Sequence, residues 1–144
     1  MKVSDILRSK GSTVTTITPD RTVAEAIRLL VEHRIGAVVV TEEETVCGIL
    51  SERDILRLTD RDPSRLGSLA VADAMTRELV VGEPDDDIDY VMEILTKNRV
   101  RHLPIVVDGR LTGILSIGDV VNALRSGLEA ENRYLRDYVQ GNVS

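Results

Sequence analysis

Gly48-Ile49-Leu50-Ser51-Glu52-Arg53-Asp54 and Gly113-Ile114-Leu115-Ser116-Ile117-Gly118-Asp119 are two copies of one stretch, and their repetition decides the fold. Laid against itself at an offset of 65, the chain keeps register outward from this match. Pro19-Asp20 falls on Pro84-Asp85, Val23 on Ile88, Leu30 on Leu95, Arg34 on Arg99 and Ile35 on Val100. No gap is needed from Pro19 to Leu56. Upstream, Val3-Ser4-Asp5-Ile6-Leu7 matches Val71-Ala72-Asp73-Ala74-Met75, with three residues fewer in the second copy. A chance match would not hold register through a helix, a hairpin and a helix start.

Each copy predicts the order α-β-α-β-β-α. A short amphipathic helix (3–8; 71–76) leads to a short strand (14–17; 79–81). Pro-Asp then opens a helix over 22–33, where Val23, Ala26, Ile27, Leu30 and Val31 recur at three- and four-residue spacing. Ile88, Val91, Met92 and Leu95 do the same in the second copy. Two β-rich runs follow (36–40 and 45–50; 103–107 and 111–115), the second pair joined by Asp108-Gly109-Arg110, a hairpin signal. A helix starts after Ser51 and again after Ser116. The expected class is α/β (α+β), two repeats with a small sheet each, packed about a pseudo-two-fold axis. Residues 1–60 form the first repeat, 61–70 a connector, 71–126 the second repeat and 127–144 a helical tail. A unit of about 60 residues buries too little surface to be stable alone, so the two share one interface.

Composition narrows the function classes. The chain has 144 residues, 42% hydrophobic and 29% charged, as in a globular protein. It has no Trp or Phe and only three Tyr, so the core is aliphatic. No stretch reaches the ~20 apolar residues of a membrane span. No basic segment followed by an apolar run opens the chain, so a cytoplasmic location is expected. A net charge of −6 argues against nucleic acid as partner, because phosphate binding needs a basic stripe. The single cysteine, Cys47, leaves no disulfide framework and no thiolate set for zinc; no metal site is expected.

The Ser-x-x-Asp steps at 51–54 and 116–119 admit two readings. One is a capping box at a strand-to-helix junction, with serine as N-cap and a carboxylate favoured by the helix dipole. The other is a ligand seat. Free N–H groups and a hydroxyl at a helix start suit phosphate, and a carboxylate one turn in can accept from the vicinal hydroxyls of a ribose. Both can hold together. Arg99-Val100-Arg101-His102-Leu103-Pro104 is the second signal. It reads either as solvated charge balancing Asp85 to Asp87 and Glu93, or as an anion seat to which Arg101 and His102 point. Pro104 has no N–H, which leaves one ladder position there unpaired.

In order, spacing and duplication these elements resemble the CBS domain, the module named after cystathionine β-synthase, and the tandem looks like a Bateman module. The likeness rests on Thr16-Ile17-Thr18-Pro19, on Arg101-His102-Leu103-Pro104 and on both Gly-Ile-Leu-Ser-x-x-Asp stretches, and spans nearly the whole chain. It implies a regulatory module binding an adenosyl ligand between the repeats: AMP, ADP, ATP, S-adenosylmethionine or NAD. It implies further that Asp54 and Asp119 hold ribose hydroxyls and that Ser51 and Ser116 contact phosphate. Arg53, Arg101 and His102 would neutralise phosphate. Adenine would lie against Thr16, Ile17 and Thr18, Gly36, Ala37 and Val38, Val81, and His102, Leu103 and Pro104. The copies differ where phosphate would be read: Gly118 replaces Arg53, and Gly36-Ala37 stands where the second copy has Arg101-His102. The two clefts are therefore expected to be inequivalent.

Other residues read as structure. Asp85-Asp86-Asp87 is a helix start, Glu42-Glu43-Glu44 a solvated hairpin tip, Cys47 a small packed hydrophobe and His33 a partner of a helix C-terminus. No base is paired with a nucleophile, so no catalytic residue or catalytic cofactor is expected. The final helix, expected over 116–141, carries Val121, Leu124, Leu128, Leu135 and Tyr138 on one stripe, which covers its own domain or a homodimer contact. Two functions follow: an adenine-nucleotide sensor acting on a separate effector protein, or a ligand-independent homodimerisation scaffold.

Overall fold

The computed structural model describes residues 1–139. The elements run α1 (Val3–Lys10), β1 (Thr16–Ile17), α2 (Val23–His33), β2 (Ala37–Glu42), β3 (Thr45–Ser51), α3 (Glu52–Arg61), α4 (Val71–Ala74), α5 (Ile88–Asn98), β4 (His102–Val107), β5 (Arg110–Ser116) and α6 (Ile117–Val139), with a 3-10 turn at Pro63–Arg65. The mixed α/β class is as expected. The two small sheets touch through one pair, Thr45 with Arg110, giving the strand order β1-β2-β3-β5-β4.

Local chemistry explains the boundaries. Thr22 caps α2 in a capping box with Glu25, and Ser51 caps α3 with Asp54. Arg34 and Arg99 end α2 and α5 in the left-handed conformation, both at φ 54°. Both hairpins carry a bulge at the same place. Cys47 and Thr112 are the extra residues, and each donates to a carbonyl across its hairpin, Sγ to Val40 at 3.3 Å and Oγ1 to Ile105 at 3.1 Å. Burial pushes the Cys47 thiol up, so it stays protonated.

Three expectations need correction. No strand forms over 79–81; only Gly82 pairs, in parallel with Ile105. The reason is Pro104. In the first repeat the Val39 amide donates to Thr15 O at 3.3 Å, and Pro104, its counterpart, has no amide to donate. The helix from Val71 stops at Ala74, because Thr76 turns out to pair with Ile49 through both backbone bonds, 2.9 and 3.0 Å. The helix from Val3 instead runs on to Lys10.

The first helices exchange places. Val3, Ile6 and Leu7 of α1 pack with Ile88, Val91, Leu95, Leu103 and Leu115, the core of the second repeat. Val71 and Met75 pack with Ala26, Leu30, Val38 and Leu50 of the first. Backbone bonds repeat the exchange: Val3 N to Asp86 O and Val71 N to Arg21 O, Ser4 N to Pro84 O and Ala72 N to Pro19 O. The glycines of the repeated stretch make room for it. A Cβ at Gly113 would stand 2.9 Å from Leu7 Cδ1, and one at Gly48 would run into Met75 Sδ.

Of the α6 stripe, Val121 and Leu135 are exposed and Leu124 is half-buried; Leu128 and Tyr138 lie outside the described side chains, and residues 140–144 outside the described chain. Among the described residues no helix is long and apolar enough to cross a membrane.

Candidate functional site

Each repeat pins the start of its last helix to the start of its central strand: Glu52 N donates to Gly36 O at 3.0 Å, and Ile117 N to Arg101 O at 2.8 Å. The two strand starts then face each other. A Cβ at Gly36 would stand 3.1 Å from His102 Nε2, a tight contact that glycine relieves where the imidazole lies against the backbone. Beside this contact a cleft of about 910 Å³ opens between the repeats.

The cleft gathers eight of the residues singled out above: Gly36, Ser51, Arg53, Asp54, Arg101, His102, Pro104 and Ser116. The others lie elsewhere. Thr16, Ile17 and Thr18 line a separate depression of about 400 Å³ along α2. Ala37, Val38 and Leu103 are buried in the core. Val81 is exposed beside the Gly82 bridge. Asp119 is held in an ion pair with Lys10, Nζ to Oδ2 at 2.6 Å.

Asp54 is poised differently. Its Oδ2 accepts from the Ser51 amide at 2.9 Å and from the Ser51 hydroxyl at 3.0 Å. Its Oδ1 accepts from the Thr76 hydroxyl at 2.9 Å. Capping thus draws on Oδ2, while Oδ1 is turned to the hydroxyl of Thr76.

The charge of the cleft opposes that of the chain. Arg53, Arg57, Arg99 and Arg101 line it against Glu52, Asp54 and Glu78. Among the described residues none of these four arginines makes an ion pair. Arg53 Nη1 is steadied by Arg99 O at 3.2 Å, across the seam between repeats. Burial pushes His102 below the ordinary imidazole value, with Lys10 and Arg101 adding to the effect and Glu52 and Asp119 opposing it. His102 is therefore neutral at pH 7, and the positive charge resides in the arginines.

Sequence reasoning passed over Thr76, Glu78, Leu79, Val80 and Arg57 in the cleft, and Lys10 outside it. Arg57 had a signal, since four-residue spacing puts it on the face of Arg53. Arg99 stood in the basic stretch without a role. Thr76 and Lys10 had none that a local pattern could reveal, because both come to their aspartates through the exchanged helices.

A family model described as CBS domain matches residues 3–60 and 71–126. The mitochondrial CBS domain-containing protein CBSX3 of Arabidopsis thaliana is 35% identical over 148 aligned residues, covering 96% of this chain and 72% of that protein. The CBS-domain containing protein ATU1752 from Agrobacterium tumefaciens superposes with a TM-score of 0.82 at 42% identity, over 85% of this chain and 98% of its own. The CBS domain pair of protein MJ0100, solved in complex with 5′-methylthioadenosine and S-adenosyl-L-methionine, superposes with a TM-score of 0.79 at 22% identity, over 88% of this chain and 98% of its own; that likeness is one of fold.

Proposed function

The chain belongs to the CBS-domain family, and from that premise we propose that it is a regulatory module whose signal is an adenine nucleotide held in the Asp54 cleft. The observation that carries this reading is the set of four arginines with no ion-pair partner among the described residues, in one cleft of a protein with net charge −6. Arginine not spent on carboxylates is the side chain suited to phosphate oxygens. Asp54 Oδ1 takes a ribose hydroxyl, and the aliphatic wall of Leu79, Val80, Val100 and Pro104 takes the base. MJ0100 was solved with adenosyl sulfur compounds; the arginines here favour a phosphorylated ligand.

A ribose on Asp54 must share or displace the Thr76 hydroxyl. Thr76 lies two residues beyond the end of α4 and pairs with Ile49 of β3, so occupancy is felt at the seam between repeats, where a separate effector protein reads it. A homodimer is a second, compatible reading. It is supported by an apolar groove between α2 and α3 in which Val31 and Leu56 are 72% and 71% exposed.

Thermal unfolding with AMP, ADP, ATP, NAD and S-adenosylmethionine tests the nucleotide reading. A ligand at 100 times its Kd adds about 2.7 kcal/mol. The expected result is a rise in Tm with the phosphorylated ligands, reduced in Arg101→Ala. No rise with any of them at millimolar concentration overturns it.

A further inference from the structure

Asp54 and Asp119 are counterparts in the two repeats, each held through Oδ2 by the amide of its own capping serine, Ser51 at 2.9 Å and Ser116 at 2.8 Å. What else reaches them differs in kind. Asp54 meets a neutral hydroxyl, Thr76 Oγ1 at 2.9 Å. Asp119 meets an ammonium: Lys10 Nζ lies 2.6 Å from Oδ2, the oxygen that the Ser116 amide also reaches, and the same nitrogen donates to Ile114 O at 2.9 Å. A ribose diol can replace a threonine hydroxyl hydrogen bond for hydrogen bond. At Asp119 it must instead bind a carboxylate whose charge an ammonium already neutralises, or exchange that ion pair for neutral hydrogen bonds.

The origin of Lys10 is visible in the lengths. From Leu7 to Pro19 the first copy is three residues longer than the second is from the matching Met75 to Pro84, and α1 is eight residues long against four for α4. The extra turn carries Lys10 across the seam, because α1 packs on the second repeat.

We infer that the chain takes one nucleotide, at Asp54, and that Lys10 occupies the ribose-binding carboxylate of the second repeat from within the protein. The inference rests on the nucleotide reading of the Asp54 cleft. It makes Lys10 a specificity-determining residue that touches no ligand.

Calorimetric titration of the full chain with ATP, repeated with AMP, tests it. Wild type is expected to bind one nucleotide per chain, and Asp54→Ala to bind at least about tenfold more weakly. Lys10→Met, which keeps the aliphatic stem and removes the charge, is expected to bind two. Lys10→Met combined with Asp119→Ala is expected to return to one, and unchanged circular dichroism confirms that each variant is folded. Two nucleotides per wild-type chain would overturn the inference, as would a folded Lys10→Met that still takes one. A Lys10→Met variant that loses binding would also overturn it, by making Lys10 a phosphate ligand. Binding to none of the four proteins removes the nucleotide reading itself, and this inference with it.

Discussion

Lys10 Nζ stands 2.6 Å from Asp119 Oδ2, a pair separated by 109 positions in the chain and joined across the seam between repeats. With side-chain exposures of 34% and 24% it is neither a free surface pair nor a buried one. Lys10→Met should lower stability by about 1 kcal/mol, and the difference should shrink at high salt as the pair is screened. Urea denaturation of both proteins at low and high ionic strength measures this.

Burial raises the Asp119 carboxyl, but the Lys10 ammonium and the Ser116 amide outweigh it and hold the group below its ordinary value of 3.8. Its folded pKa lies below its unfolded one. The contribution to stability is therefore present above the ordinary carboxylate range and lost as pH falls through it. Acid unfolding monitored by circular dichroism should show wild type losing stability below about pH 4, and Lys10→Met losing less.

His102 is depressed by burial below its ordinary 6.5. Between the folded and unfolded values the unfolded chain binds a proton that the folded chain refuses, so stability falls as pH drops below 6.5. An NMR titration of the His102 ring should give a midpoint below 6.5. Bound phosphate should move it upward.

The exchange of first helices predicts where a defect is felt. Leu7→Ala, at 9% exposure, should cost about 2–5 kcal/mol. The amides that lose protection from hydrogen exchange first should be those of β4 and β5, which are far in sequence, and not those of β2 and β3. Equal loss in both hairpins would contradict the packing of α1 described above.

Glu43 and Glu44 turn the first hairpin at φ 50° and 69°, where the second uses Asp108 and Gly109 at 51° and 81°. Side chains pay about 1–2 kcal/mol in that region and glycine does not. The double change Glu43→Asn, Glu44→Gly should raise Tm, even after loss of the exposed Glu44–Arg110 pair. Differential scanning calorimetry reads the outcome.

Much of the fold was legible in the chain. The capping box at Ser51, the apolar spacing of α2 and α5 and the Asp108-Gly109 turn are local signals, and they place the elements within a residue or two. The missing strand at 79–81 is a case where propensity misled. Leu79-Val80-Val81 reads as β, but its partner offers a proline where an amide was needed. The cleft was partly legible through Ser51, Asp54 and the basic stretch at 99–102. Thr76 was not, since nothing local marks what faces it.

The sequence by itself determined the duplication, the order of elements and the charge asymmetry between the copies, because periodicity, caps and turns act over a few residues. Only the tertiary structure decided which core each first helix covers, and so which side chain meets each aspartate. An amphipathic helix carries an apolar face but no address; its partner is set by long-range packing. The three-residue difference was visible as a count. Its meaning, an extra turn that lays Lys10 on Asp119 while Asp54 keeps a hydroxyl, exists only once α1 lies across the second repeat.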